Sequence, residues 1–137
     1  HGINKGLKLL CVNPDIFVDV GHHRVWCAGG IAEAYSAVGG ETIYCGKPHK
    51  DIYKLAYAKL KKFDPRSTAR ILCIGDGINT DILGGYNQKL DTLFVCGGLS
   101  GDETGITLAN EKPDPKKLNE FIKANNLHPT ASIGFLR

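Results

Sequence analysis

Short apolar runs alternate with stretches of helical character along the chain. The apolar runs are typical of buried strands and lie at residues 7–12, 41–46, 71–74 and 91–98. The stretches that predict helices lie at residues 31–38, 47–63, 80–89 and 115–126. Because strands and helices follow one another in turn, the pattern predicts an α/β fold with a parallel sheet covered by helices.

Other parts of the sequence carry weaker signals. Residues 21–30 are predicted to be irregular, residues 99–114 to form a long loop, and the tail at residues 128–137 has no assignable role. From Gly46 onward only two strands are clear, which is too few for the open sheet of a free-standing doubly wound domain. We therefore expect a truncated chain, or one that pairs with another chain.

The composition is that of an ordinary folded protein, with 42% hydrophobic and 23% charged residues. A net charge of +3 predicts neither a nucleic-acid nor a membrane partner. No apolar window reaches the roughly 18 residues of a membrane helix, and the first residues lack the order of a signal peptide. Five cysteines without C-x-x-C spacing argue against a zinc site or a disulfide framework. We expect reduced thiols in a cytoplasmic protein.

Two acids follow the apolar run that ends at Ile74. Asp76 lies between two glycines and Asp81 lies five residues further on, so we expect both at the carboxyl edge of the sheet. Two carboxylates on a polar rim suit Mg²⁺, which usually keeps several waters. The alternative is structural, with Asp76 forming a turn and Asp81 capping a helix. A calcium loop does not fit, because Ile78 occupies a position that needs an acid.

A lysine precedes these acids by one strand-helix unit. Lys47, in the segment C-G-K-P-H, follows a predicted strand and precedes a helix whose amino end favours anions. Taken alone, it would be an ordinary solvated charge. At the same sheet edge as Asp76 and Asp81, its ammonium would offset the two acids and hold a phosphate.

Four segments resemble, in order and spacing, the carboxyl-terminal half of haloacid dehalogenase-like (HAD) hydrolases. They are N-P-D, A-G-G-I-A-E-A-Y, Y-C-G-K-P-H and I-G-D-G-I-N-T-D-I-L-G-G. The resemblance is greatest to subfamily IIA, which has a large inserted cap and includes NagD-type and pyridoxal-phosphate-type phosphatases. It implies part of an inserted α/β cap at residues 1–45 and the second half of a Rossmann-like catalytic core at residues 46–137.

The resemblance also implies roles for the three charged residues. Lys47 matches the catalytic lysine that steadies the phosphorylated nucleophile. Asp76 matches the acid that binds Mg²⁺ directly, and Asp81 matches the acid that supports the metal, often through water.

The substrate contacts are less clearly marked. Asp15 and Gly46 are the candidates, and His22 is a third. The alternative is that Asp15 is a turn residue and His22 a surface histidine. The resemblance implies a small phosphorylated metabolite as substrate, and phosphosugars, nucleoside monophosphates and pyridoxal phosphate are all options.

One motif of the family is absent from the chain. The family's nucleophile lies in a D-x-D-G segment, whereas here Asp15 and Asp19 are four residues apart and no such segment occurs. We therefore expect a fragment of a Mg²⁺-dependent phosphatase that works through an aspartyl-phosphate. These 137 residues alone are predicted to be inactive.

Two other functions compete with this interpretation. The chain could be a non-catalytic half-domain that binds or assembles with a partner, and a free sheet edge could lead to self-association. A receiver domain of a signalling system also places acids and a lysine around Mg²⁺. Its lysine follows the acids, however, whereas Lys47 precedes Asp76.

Overall fold

The computed structural model describes residues 1–21, 23–63 and 71–136. The strands are β1 (Lys8–Cys11), β2 (Phe17–Val20), β3 (His23–Trp26), β4 (Glu41–Tyr44), β5 (Leu72–Gly75), β6 (Asp91–Val95) and β7 (Ala131–Ile133). The helices are α1 (Ala28–Ala37), α2 (Lys50–Phe63), α3 (Leu83–Asn87), α4 (Gly101–Thr104) and α5 (Pro115–Asn125), with a 3₁₀ turn at Ile3–Lys5 and a π-helical turn at Ile78–Ile82. None of the described helices is long and apolar enough to cross a bilayer.

The described strands form three separate sheets. β1 pairs in parallel with β4, β2 pairs antiparallel with β3, and β5, β6 and β7 form a parallel sheet in that order. The α/β fold with parallel strands that the sequence pattern predicts is confirmed. The division into a cap part at residues 1–45 and a core part at residues 46–137 stays a prediction.

The main buried cluster lies beside the three-stranded sheet. Phe94 of β6 is fully buried and stacks on Phe121 of α5, with 5.9 Å between the ring centroids. Two further members, Ile78 and Ile82, come from the π-helical turn, so burial of apolar surface holds that turn against the sheet. The buried members are Ile78, Ile82, Phe94, Cys96, Ile106 and Leu127.

β5 differs from the prediction of a strand buried on both faces. Leu72 is 50% exposed and Ile74 is 49% exposed. Within the described residues β5 is hydrogen-bonded to β6 alone, so one edge of the strand is open. An apolar run predicts burial on both faces only where both faces are covered.

Residues predicted to be irregular form a hairpin. β2 and β3 pair around Gly21, whose φ of +62° favours glycine. Arg24 of β3 donates to the Asp19 carboxylate of β2 over 2.9 and 3.1 Å. Every residue of the two strands is exposed, so the hairpin lacks the alternation that marks a half-buried strand in a sequence.

The tail and the loop before it also contain secondary structure. Ala131–Ile133 form β7, which pairs in parallel with β6, so the sheet has three strands after Gly46 rather than two. The predicted loop at residues 99–114 contains the short helix α4. Both elements are three or four residues long, which is too short for a periodic pattern to reveal.

The five cysteines are free thiols. Cys11 and Cys96 are buried, and Cys27, Cys45 and Cys73 are half-buried. Burial raises the pKa of Cys96 to about 11, because a thiolate is unfavourable in an apolar environment. A cytoplasmic location stays a prediction.

Candidate active site

Lys47 and Asp81 form an ion pair between two loops. Lys47 lies in the turn between β4 and α2, and Asp81 lies in the π-helical turn after β5. Lys47 Nζ is 2.6 Å from Asp81 Oδ1. The buried side chains of Ile78 and Ile82 anchor the turn on the Asp81 side, so the core of the sheet positions one partner of the pair.

The surrounding carboxylates keep the Lys47 ammonium protonated. Burial by itself lowers the pKa of Lys47, because the charged form is less stable away from water. The hydrogen bond to Asp81 and the negative charges of Asp81, Asp15 and Asp76 outweigh burial and raise the pKa above its ordinary value. Lys47 is therefore a fixed positive charge near neutral pH, where a phosphate monoester carries close to two negative charges.

Asp81 has a different structural role from the helix cap considered above. The N-cap residues of the π-helical turn and of helix α3 are Gly77 and Ile82, so Asp81 is the N-cap of neither. One oxygen of Asp81 meets Lys47, and the other accepts the backbone N–H of Gly77 at 3.1 Å. A Cβ at Gly75 would overlap the Asp81 carboxyl group, so glycine at the end of β5 leaves space for this acid.

Asp76 is held by the loop that follows the neighbouring strand. Its Oδ2 accepts the backbone N–H of Leu99 at 3.1 Å. A Cβ at Gly98 would overlap the same carboxyl group, so this loop passes directly over Asp76. Because β5 and β6 are parallel neighbours, the loops at their carboxyl ends meet at one edge of the sheet.

The three predicted charges line one cavity of about 450 Å³, which we call the acid–lysine cavity. Lys47, Asp76 and Asp81 all contribute to its wall, and Asp15 joins them. Hairpin residues from β2 line it as well. The structure thus brings the Lys47 ammonium together with four carboxylates, since Asp19 is one of these hairpin residues. The catalytic and metal-binding roles of Lys47, Asp76 and Asp81 stay predictions.

A second cavity of about 540 Å³ adjoins the first, and we call it the aromatic cavity. The rings of Tyr44 and His49 stack there, with 5.3 Å between their centroids and 17° between their planes. Neither residue was among the predicted site residues. A signal was available, since His49 lies two residues after Lys47 in the same turn.

The predicted substrate contacts differ in their position relative to the two cavities. Asp15 lines both cavities. Gly46 lines neither cavity and is buried, with the position of its missing Cβ occupied by Pro14 and Val12, so close packing explains this glycine. Its role as a substrate contact stays a prediction. His22 lies outside the described residues.

The donor set of the acid–lysine cavity fits Mg²⁺. Asp76 and Asp81 offer hard carboxylate oxygens, and Mg²⁺ is typically bound by one or two carboxylates with water completing its shell. Among the described residues there is no group of three or more His, Cys, Asp or Glu side chains arranged to hold a metal by themselves. A site of two acids suits Mg²⁺ better than it suits zinc or calcium, which need more protein ligands.

Comparison with known proteins shows the family of the chain. The family model described as HAD-hydrolase-like matches residues 44–124, which include Lys47, Asp76 and Asp81. The chain belongs to the HAD hydrolase superfamily. Its similarity is to subfamily IIA, as the motifs predict.

Two curated HAD relatives illustrate the similarity. The ribonucleotide monophosphatase NagD of Escherichia coli (strain K12) is 30% identical over 101 residues, which are 72% of this chain and 37% of the relative. An acid sugar phosphatase of Staphylococcus saprophyticus is 28% identical over 131 residues, which are 89% of this chain and 46% of the relative. The chain thus spans less than half the length of either relative.

Solved HAD structures share the fold. A hydrolase of the haloacid dehalogenase-like family from Brucella suis 1330 has a TM-score of 0.74 and 33% identity, covering 99% of this chain and 46% of that one. A possible sugar phosphatase of the HAD superfamily from Cytophaga hutchinsonii has a TM-score of 0.70 and 25% identity, covering 96% and 43%.

Proposed function

We propose that this chain contributes the metal- and phosphate-binding half of the active site of a Mg²⁺-dependent phosphatase that hydrolyses small phosphate monoesters. The observation that carries the proposal is the ion pair of Lys47 and Asp81, which sets a protonated ammonium beside the acid that precedes α3. Asp76 lines the same cavity. A cavity with both signs of charge at a parallel sheet edge suits a phosphoryl group and a cation together.

The roles follow from the charges. Asp76 would hold Mg²⁺ directly and Asp81 would support it, while Lys47 would donate to a phosphoryl oxygen. When bound, Mg²⁺ would supply positive charge that draws electron density from the phosphoryl oxygens. Asp81 keeps the Lys47 ammonium charged and in place, so the lysine does not have to be reoriented when phosphate arrives.

The nucleophile would come from outside these 137 residues. No D-x-D-G segment occurs in the chain, and in the proposed reaction an aspartate of such a segment attacks phosphorus to form an aspartyl-phosphate. The substrate would be a small phosphorylated metabolite, such as a phosphosugar, a nucleoside monophosphate or pyridoxal phosphate. The names of the relatives, which include a ribonucleotide monophosphatase and an acid sugar phosphatase, support this range.

Calorimetric binding of inorganic phosphate tests the proposal. The purified chain is expected to bind phosphate only when Mg²⁺ is present, and Lys47→Met is expected to weaken that binding by about tenfold, as the loss of a charge-assisted hydrogen bond predicts. Lys8→Met is the matched control, because Lys8 forms an exposed ion pair on β1 outside both cavities. Absence of phosphate binding, or equal binding by the two variants, would refute the proposed site.

Turnover by the chain alone tests the missing nucleophile. We expect no Mg²⁺-dependent hydrolysis of p-nitrophenyl phosphate by the purified chain above the level of Asp76→Asn. Robust turnover that Asp76→Asn abolishes would show that a nucleophile lies within the 137 residues.

A non-catalytic assembly protein is the second candidate. The open edge of β5 favours it, because Leu72 and Ile74 are about half exposed and β5 has a single described neighbour. Self-association through this edge is expected to show as a concentration-dependent mass in analytical ultracentrifugation. A monomer at every concentration that still binds phosphate with Mg²⁺ favours the phosphatase.

A further inference from the structure

The two cavities are neighbours that share part of their wall. Six residues line both of them, and they are Asp15, Phe17, Asp76, Gly77, Thr80 and Leu99. Lys47 and Asp81 line the acid–lysine cavity alone, whereas Tyr44 and His49 line the aromatic cavity alone. The aromatic cavity is therefore the neighbouring space into which the remaining part of a phosphate ester would extend from the acid–lysine cavity.

The turn between β4 and α2 contributes a residue to each cavity. Lys47 and His49 lie on either side of Pro48, and the backbone N–H of His49 donates to the carbonyl of Gly46 at 2.9 Å. The turn thus holds the backbones of Lys47 and His49 close together. The alcohol part of a phosphate ester held at Lys47 would pass directly beside His49.

The imidazole of His49 is held flat against a second ring. It stacks on Tyr44, which is half-buried at the end of β4, while His49 itself is exposed. One face of the imidazole is therefore occupied by the tyrosine, and the His49 side chain also lines the aromatic cavity. Offset stacking of this kind favours a planar ring over a flexible chain.

The charges in the aromatic cavity exclude a second anion. The carboxylates of Asp15, Glu33 and Glu103 line it, and they would accept hydrogen bonds from hydroxyl or amino groups. The cavity's arginine, Arg24, is already paired with Asp19. An additional carboxylate or phosphate on the alcohol part would meet like charges.

We propose that His49, supported by Tyr44, is a specificity-determining residue that stacks on a flat, uncharged ring in the alcohol part of the substrate, as in a nucleoside monophosphate. The inference rests on the proposed function, because it needs a phosphoryl group at Lys47. It adds to that proposal a preference of the site for phosphate esters that carry a ring over acyclic esters.

The test compares the calorimetric affinity of the purified chain, with Mg²⁺, for adenosine 5′-monophosphate and for glycerol 3-phosphate. We expect wild type to bind the nucleotide about five- to tenfold more tightly, within the range of base stacking on one aromatic side chain. His49→Ala is expected to remove this preference and leave glycerol 3-phosphate unchanged. His49→Phe is expected to retain it, because the ring is kept. His128→Ala, an exposed histidine outside both cavities, is the control.

Failure of this inference is distinct from failure of the proposed function. If Lys47→Met weakens both esters equally but His49→Ala changes neither, the phosphate site stands and the role of His49 is wrong. If wild type prefers glycerol 3-phosphate, or if His49→Phe behaves like His49→Ala, the stacking role is also wrong. If neither ester nor inorganic phosphate binds, both proposals fall.

Discussion

Lys47 Nζ lies 2.6 Å from Asp81 Oδ1, although the two residues are 34 positions apart in the sequence. The Lys47 side chain is 42% exposed and the Asp81 side chain 13% exposed, so the pair is partly sheltered from water. Each residue enters from its own loop at the end of a parallel strand. The pair therefore links the β4–α2 turn to the end of the three-stranded sheet, in addition to setting the charge of the candidate active site.

A double-mutant cycle with Lys47→Met and Asp81→Asn measures this link. Screening by water limits the expected coupling in the free energy of unfolding to about 1 kcal/mol, which is near the upper end of the range for exposed pairs. Urea unfolding followed by circular dichroism provides the measurement. The Lys8–Glu41 pair is the control, because its side chains are 57% and 60% exposed, and its coupling is expected to be smaller. Equal coupling in the two pairs would contradict the partial shelter of Lys47.

The coupling is also expected to depend on pH. The folded-state pKa of Lys47 is raised above its ordinary value of 10.5, so the stabilisation is fully present below pH 10.5. It is lost as the pH rises through the higher folded-state pKa, where the ammonium gives up its proton. The same cycle at pH 8 and pH 9.5 should give equal coupling energies, and a fall between these values would show that the pKa is lowered instead.

Asp76→Asn tests the direct metal ligand. Loss of one carboxylate is expected to weaken Mg²⁺ binding by at least about tenfold. In other metal sites, mutating residues that only hydrogen-bond to the metal ligands already lowers the metal affinity by that factor. Isothermal titration with MgCl₂ measures the affinity without need for catalysis. Asp102→Asn removes an exposed acid outside both cavities and should leave the affinity nearly unchanged. If the two variants bind alike, Asp76 does not hold the metal.

The position of the charged residues could be predicted in part from the sequence. Lys47, Asp76 and Asp81 each follow the end of an apolar run, where the loops of a parallel sheet bind ligands, but β4 pairs with β1 in a different described sheet from β5. The apolar runs therefore predict that each charged side chain follows a strand, but they do not predict that Lys47 and the two acids come from two separate sheets. The family resemblance adds the spacing between the lysine and the acids.

The parts that could not be predicted depend on partners distant in the sequence. β7 has only three residues, and its place beside β6 is fixed partly by Thr130, whose hydroxyl accepts the N–H of Thr92 at 3.1 Å. The stack of Tyr44 on His49 depends on how the turn after β4 folds back. The exposure of Leu72 depends on what covers the sheet, which an apolar run does not encode.

Gly98→Ala tests whether the loop after β6 positions Asp76. A Cβ at this glycine would overlap the Asp76 carboxyl group, so we expect Mg²⁺ binding to weaken by about tenfold and the protein to lose about 1–3 kcal/mol through overpacking. Gly101→Ala is the matched control, because its Cβ would meet a neighbouring oxygen at an ordinary 3.5 Å. Wild-type Mg²⁺ affinity in Gly98→Ala would show that the acid can move without effect on the metal.

The tail strand should contribute to stability as well as to topology. Phe135 packs against the buried cluster and lies over Gly97 at the end of β6, where the Gly97 N–H donates to Gly134 at 2.7 Å. Because Phe135 is only partly buried, Phe135→Ala is expected to cost about 1–3 kcal/mol, below the loss typical of a fully buried phenylalanine. Leu136→Ala, at a side chain that is 60% exposed, should stay within about 0.5 kcal/mol of wild type. Urea unfolding measures both, and an equal effect of the two changes would mean that the tail is not part of the folded core.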